Sequence, residues 1–107
     1  RLIVDGKVNT TIVKLIYQNL NKNKKIVLLT KHEGDIYESL RKYRISNELF
    51  DAIISLEATE QKVDYIQDLD SVFIDNYFID RMSVKQRCNI PVFDVDAAEC
   101  LIDSTEV

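Results

Sequence analysis

Apolar residues along the chain follow two kinds of pattern. Four short runs are continuous or nearly so: Ile26-Val27-Leu28-Leu29, Ala52-Ile53-Ile54-Ser55-Leu56, Val72-Phe73-Ile74 and Val92-Phe93. They are rich in β-branched and aromatic residues, which suit a pleated surface, and each is expected to form a buried strand. They do not alternate with polar residues, so both faces should be covered, as in parallel sheets. Between the runs, apolar residues recur at helical spacing. Ile12, Val13, Ile16, Tyr17 and Leu20 share one face of residues 10–22, and Ile36, Tyr37, Leu40 and Tyr43 share one of residues 35–44. One extra turn is expected over 47–50. A helix over 59–68 would turn Val63 and Ile66 inward, and one over 79–88 Ile79, Met82 and Cys88. The last helix, over 96–103, would bury Ala97, Ala98, Leu101 and Ile102, with Asp96 and Glu99 as a capping-box pair. Strands alternating with helices predict an α/β fold. The expected form is Rossmann-like, three α/β/α layers around a mainly parallel sheet.

The first residues, Leu2-Ile3-Val4-Asp5-Gly6-Lys7-Val8, admit two readings. Asp-Gly suits a type I′ turn and so a small hairpin. The same residues also read as a strand ending at Asp5.

Length and composition narrow the function classes. A chain of 107 residues is one domain, large enough to fold around its own core. Two glycines exclude a glycine-rich phosphate loop, and two cysteines, Cys88 and Cys100, exclude a disulfide scaffold or a four-thiolate zinc site. No apolar run approaches the roughly 20 residues that span a bilayer. The opening residues turn polar at once, unlike a signal peptide, so a reduced, cytoplasmic protein with no membrane partner is expected. The net charge of −4 argues against a nucleic-acid partner. That charge is uneven: residues 1–50 are net basic and residues 51–107 strongly acidic. A solvated surface explains this plainly; an anion or metal site between a basic and an acidic wall is the sharper reading.

In open parallel sheets, ligands bind beyond the carboxyl ends of the strands. Thr30-Lys31-His32 follows the first run, Glu57 the second with Lys62 shortly after, Asp75-Asn76 the third with Asp80 beyond, and Asp94 the fourth. A hydroxyl and an ammonium suit a phosphoryl group, and clustered carboxylates suit Mg²⁺. Each residue also has a plain role. Thr30 and Asp75 can cap the turns after their strands, Asp80 can be a first-turn acid, Lys62 an exposed helix lysine and His32 a solvated loop residue. If Thr59 is the N-cap of the helix over 59–68, Lys62 stands in a first turn, where the helix dipole disfavours a cation.

The order Leu28-Leu29-Thr30, then Lys62, then Val72-Phe73-Ile74-Asp75-Asn76-Tyr77-Phe78-Ile79-Asp80 resembles motifs II, III and IV of the haloacid dehalogenase-like (HAD) superfamily, over about residues 1–102. With Ile90-Pro91-Val92-Phe93-Asp94-Val95-Asp96, it resembles small capless members, some of which accompany ATP-grasp proteins. The resemblance implies Mg²⁺-dependent hydrolysis of a small phosphorylated substrate through an aspartyl-phosphate. Thr30, Lys31 and Lys62 would take the phosphate-binding roles, and Asp75 with Asn76 or Asp80 the metal role. An ATP-grasp partner or fusion is a further implication.

Two departures stand out. Asn76 replaces a common second acid, and no Asp-x-Asp precedes the first helix, since Lys7 stands two residues after Asp5. Either residues 1–8 are the flap hairpin that follows an absent nucleophile strand, or Leu2–Val4 is the first strand and Asp5 a degenerate nucleophile. The family's first strand is central (order 5-4-1-2-3), so its loss would leave unpaired backbone on both sides of a gap. The first alternative is the expectation: a single HAD-like domain over 1–107 without its nucleophile strand. The rival is a catalytically degenerate module with a binding or regulatory role. A receiver-like domain would need an adjacent acid pair at a first strand end, which is missing.

Overall fold

The computed structural model describes residues 2–31 and 34–102; His32 lies outside them. The chain begins as an antiparallel hairpin, β1 (Ile3–Val4) and β2 (Lys7–Val8). Asp5 and Gly6 at its turn have φ of 52° and 73°. That is the left-handed pair a type I′ turn requires. The alternative in which Leu2–Val4 forms the first strand of the parallel sheet is therefore corrected: β1 pairs only with β2 among the described residues, and Asp5 stands exposed in the turn.

Helix α1 (Thr10–Asn21) buries Leu15 and Ile16, while Tyr17, expected inward, is exposed. It ends where Asn23 turns left-handed and the Lys24 amide donates to the Asn19 carbonyl. Strand β3 (Val27–Thr30) pairs in parallel with β4 (Ala52–Ser55). Between them α2 (Ile36–Lys42) is capped by Asp35, whose carboxylate accepts the Tyr37 amide at 2.9 Å. A 3₁₀ turn over Asn47–Leu49 provides the extra turn expected there. Asp51 ties the starts of β3 and β4 together: its amide donates to the Ile26 carbonyl and its carboxylate accepts the Ile26 amide, each at 2.7 Å.

The second half holds another parallel pair, β5 (Phe73–Ile74) and β6 (Val92–Phe93), joined through α3 (Phe78–Cys88). The fold is thus mixed α/β with short parallel sheets. No helix among the described residues is long and apolar enough to cross a membrane.

Three helical expectations are corrected. In place of a helix over 59–68 there is a four-residue 3₁₀ turn, Lys62–Tyr65, with Gln61 rather than Thr59 at its cap. Val63, Tyr65 and Ile66 are weak helix formers, and beyond the turn Asp68 accepts the Asp70 amide at 2.9 Å in a local turn of its own. The dipole argument at Lys62 falls with the helix. The last helix is 3₁₀, Val95–Leu101, and Asp94 caps it by accepting the Asp96 amide, so Asp96 is not the cap. On α3 the fully buried residue is Val84, whereas Ile79 is 60% exposed because the first turn of the helix overhangs a cavity.

Two apolar clusters carry the fold. One gathers Ile16, Leu40, Ile45, Leu49 and Phe50, with Leu28, Ile53 and the hairpin's Leu2, Ile3 and Val8 against it. The other gathers Val63, Phe73, Val84 and Ile90, with Leu29 against it. Leu28 and Leu29 point to opposite faces of β3, so each cluster covers one face, which explains the absence of alternation in that run. The two parallel pairs are not joined. The Thr30 carbonyl accepts from Leu56, and the Phe73 and Asp75 amides donate to Pro91 and Phe93. By alternation, the backbone groups of Leu29 and Ile74 face the other edges of β3 and β5, where no strand pairs among the described residues.

Candidate functional site

The carboxyl ends of β3 and β5 converge on one cluster of charge. Asp75 directly follows β5 and is buried, with 7% of its surface exposed. The Lys62 ammonium donates to Asp75 Oδ2 at 2.8 Å and lies 3.9 Å from Asp80 Oδ2. Lys62 and Asp80 are themselves mostly shielded, each with 16% of the side chain exposed. Lys62 is delivered by the 3₁₀ turn, where neighbouring Val63 is buried against α3. Asp80 projects from the first turn of α3.

The local hydrogen bonds hold Asp75 in place. Its Oδ1 accepts the Tyr77 amide at 3.1 Å, so Asp75 supports the turn into α3 as well as pairing with Lys62. Arg81 Nη1 donates to the Asp75 carbonyl at 2.9 Å and lies 3.4 Å from Asp94 Oδ2. Arg81 thus links the ends of β5 and β6. Sequence reasoning did not single it out; the signal available was a cation one turn into the helix that follows an acidic strand end.

A cavity of about 270 Å³ opens beside this cluster, and its walls include Lys31, Glu60, Lys62, Tyr77, Ile79 and Asp80. The structure thus brings Lys31, Lys62 and Asp80 to one cavity and holds Asp75 against Lys62. Thr30 closes β3 one residue before Lys31 but is not among the described lining residues. Asn76 is exposed beside Asp75. Asp5 lies in the hairpin turn.

Glu60 is fixed by two donors. The Tyr65 hydroxyl donates to its Oε2, and the Glu57 amide to its Oε1 at 2.7 Å. The Tyr65 bond first, and the Glu57 bond second, hold the Glu60 carboxyl below its ordinary range, and Tyr65 is raised in turn. Glu60 therefore stays anionic. Among the lining residues, the ammonium groups of Lys31 and Lys62 balance the carboxylates of Glu60 and Asp80, so the cavity offers a phosphate no excess of positive charge. Asp75 adds a third carboxylate against Lys62, outside the lining.

A divalent cation would add positive charge there. Mg²⁺ is commonly held by one or two carboxylates and completed by phosphate oxygens and waters. Asp75 and Asp80 lie close enough together to share one ammonium, so this donor set suits such a shared site, with Asn76 adjoining it. No group of three His, Cys, Asp or Glu among the described residues could hold a metal by itself. Comparison with known proteins is silent: no protein-family model, curated protein or solved structure matches the chain.

Proposed function

We propose that this chain is a HAD-like, three-layer domain that handles phosphoryl groups with Mg²⁺, its substrate a small phosphorylated molecule. The observation that carries the reading is Lys62 held between Asp75 and Asp80 at the ends of parallel strands, beside a cavity that Lys31 also lines. In this reading Lys31 and Lys62 bind phosphoryl oxygens, with Thr30 just behind them. Asp75 and Asp80 hold the metal, with Asn76 orienting water or serving as a neutral ligand. When bound, Mg²⁺ supplies the positive charge that offsets the excess carboxylate.

In this reading Asp75 and Asp80 are committed to the metal and Asp5, exposed in the hairpin turn, does not line the cavity, so the family's nucleophilic aspartate has no counterpart among the residues assigned. The edges of β3 and β5 left unpaired among the described residues support the further central strand that the HAD-like reading implies, which in that family ends in the nucleophilic aspartate. Without such a strand the domain binds phosphate but does not hydrolyse esters. The second reading, a binding module, is favoured by the same arrangement of Asp5.

Melting the protein with and without Mg²⁺ tests the site. The expected result is a Mg²⁺-dependent rise in Tm that Asp75→Asn removes. A rise of equal size in Asp75→Asn would remove the metal role of Asp75. Assayed with an aryl phosphate and Mg²⁺, this chain should show no turnover; robust turnover abolished by Asp5→Asn would make Asp5 the nucleophile.

A further inference from the structure

The cavity has a second wall that the phosphate chemistry does not use. Tyr77 and Ile79 line it and are 54% and 60% exposed, although both are large apolar side chains. Between them Phe78 is 62% exposed, with the Arg81 guanidinium 5.7 Å from its ring centre. Tyr77, Phe78 and Ile79 thus expose three consecutive apolar residues at the start of α3. Their position is not loose. The Tyr77 amide donates to the same Asp75 carboxylate that pairs with Lys62, so the residue bearing the ring is anchored to the charged cluster. Two lysines, an aromatic residue and an aliphatic residue line one cavity of about 270 Å³. That is just below the usual range for small-molecule sites, which limits the ligand to a small one.

From this juxtaposition we infer that the site takes a small phosphomonoester with an aromatic body, its phosphate toward Lys31 and Lys62 and its ring against Tyr77 and Ile79. The inference rests on the phosphoryl-binding reading and names the substrate class for it. A planar ring covers Tyr77 by offset or edge-to-face packing, a contact an open-chain polyol phosphate cannot make.

The test measures dissociation constants for inorganic phosphate, glycerol phosphate and phenyl phosphate on the whole chain with Mg²⁺ present. Phenyl phosphate is expected to bind about tenfold more tightly than glycerol phosphate. Tyr77→Ser, and separately Ile79→Ser, should bring that ratio towards one; both side chains are exposed, so neither change removes core packing. Equal affinities for the two esters, or a ratio unmoved by both variants, would overturn the aromatic preference while leaving the phosphate site standing. Failure of all three ligands to bind would overturn the phosphate reading and this inference together.

Discussion

The Lys62 cluster makes a quantitative prediction about stability. Lys62 faces Asp75 at 2.8 Å and Asp80 at 3.9 Å, but the two contacts are not equivalent. At an effective dielectric of about 20, the gross attraction is roughly 6 kcal/mol for the shorter distance and roughly 4 kcal/mol for the longer. Desolvation and side-chain ordering offset most of both. The Asp75 contact has hydrogen-bond geometry and a buried carboxylate, so a net coupling of about 1–3 kcal/mol is expected there. The Asp80 contact lacks a hydrogen bond, and about 0.2–1 kcal/mol is expected. The assay is a pair of double-mutant cycles by urea unfolding, combining Lys62→Met with Asp75→Asn or with Asp80→Asn. Asn at position 75 keeps an oxygen for the Tyr77 amide but turns its NH₂ toward the Lys62 ammonium, so the first cycle reads the ion pair together with that donor–donor mismatch. The Asp75 coupling should exceed the Asp80 coupling by at least about twofold. Equal couplings, or a Lys62–Asp75 value below about 0.5 kcal/mol, would refute the view that Asp75 anchors the cluster.

Two further perturbations probe the surroundings. Tyr65→Phe removes the leading donor to Glu60, so the Glu60 carboxyl should titrate closer to its ordinary range, as read by carboxyl-detected NMR. The sign follows from the direction of each shift. The depressed Glu60 contributes stability that is present above its unfolded-state pKa and lost as pH falls through the folded value. The raised Tyr65 contributes stability that is lost only as pH rises through the alkaline phenol range. An unchanged Glu60 titration in Tyr65→Phe would show that the hydroxyl does not set it. At the hairpin, Gly6→Ala meets no neighbour within 4 Å, so its cost is purely that of φ at 73°. A loss of about 1 kcal/mol, or roughly 4–8 °C in Tm, is expected; an unchanged Tm would show that the turn relaxes freely.

The parallel pairs were legible because Leu28–Leu29 and Ile53–Ile54 are consecutive aliphatic residues, with Leu28 and Leu29 packed against different clusters, but Val27 and Val72, expected in buried strands, are 52% and 55% exposed. The hairpin was legible because Asp5-Gly6 is one of the few pairs that tolerate two successive left-handed residues. The meeting of Lys62, Asp75 and Asp80 was legible only as far as ligands gather beyond strand ends: Asp75 directly follows β5, whereas Lys62 comes from a 3₁₀ turn and Asp80 from the first turn of α3. Other features depend on contacts that no periodicity encodes. The expected helix over 59–68 is cut to a 3₁₀ turn that ends at Tyr65, before Asp68 makes its local bond to the Asp70 amide. Tyr17 and Tyr37 matched apolar positions on their helices yet lie outward, since a phenol can keep its polar tip in water. Arg81 reaches Asp75 and Asp94 through a long side chain, and Glu60 finds Tyr65 across the 3₁₀ turn. The apolar wall of Tyr77 and Ile79 was hidden for a related reason: at helical spacing, Ile79 resembles a core residue until the neighbouring elements are in place.

The most direct test of the phosphate site is a titration of inorganic phosphate into the protein, with and without Mg²⁺, followed by amide NMR. The proposed site predicts that phosphate binds more tightly when Mg²⁺ is present, with the largest shifts at Lys31, Lys62 and Asp80. Equal binding in the absence of Mg²⁺, or shifts confined to residues away from the cavity, would contradict a metal-assisted phosphoryl site.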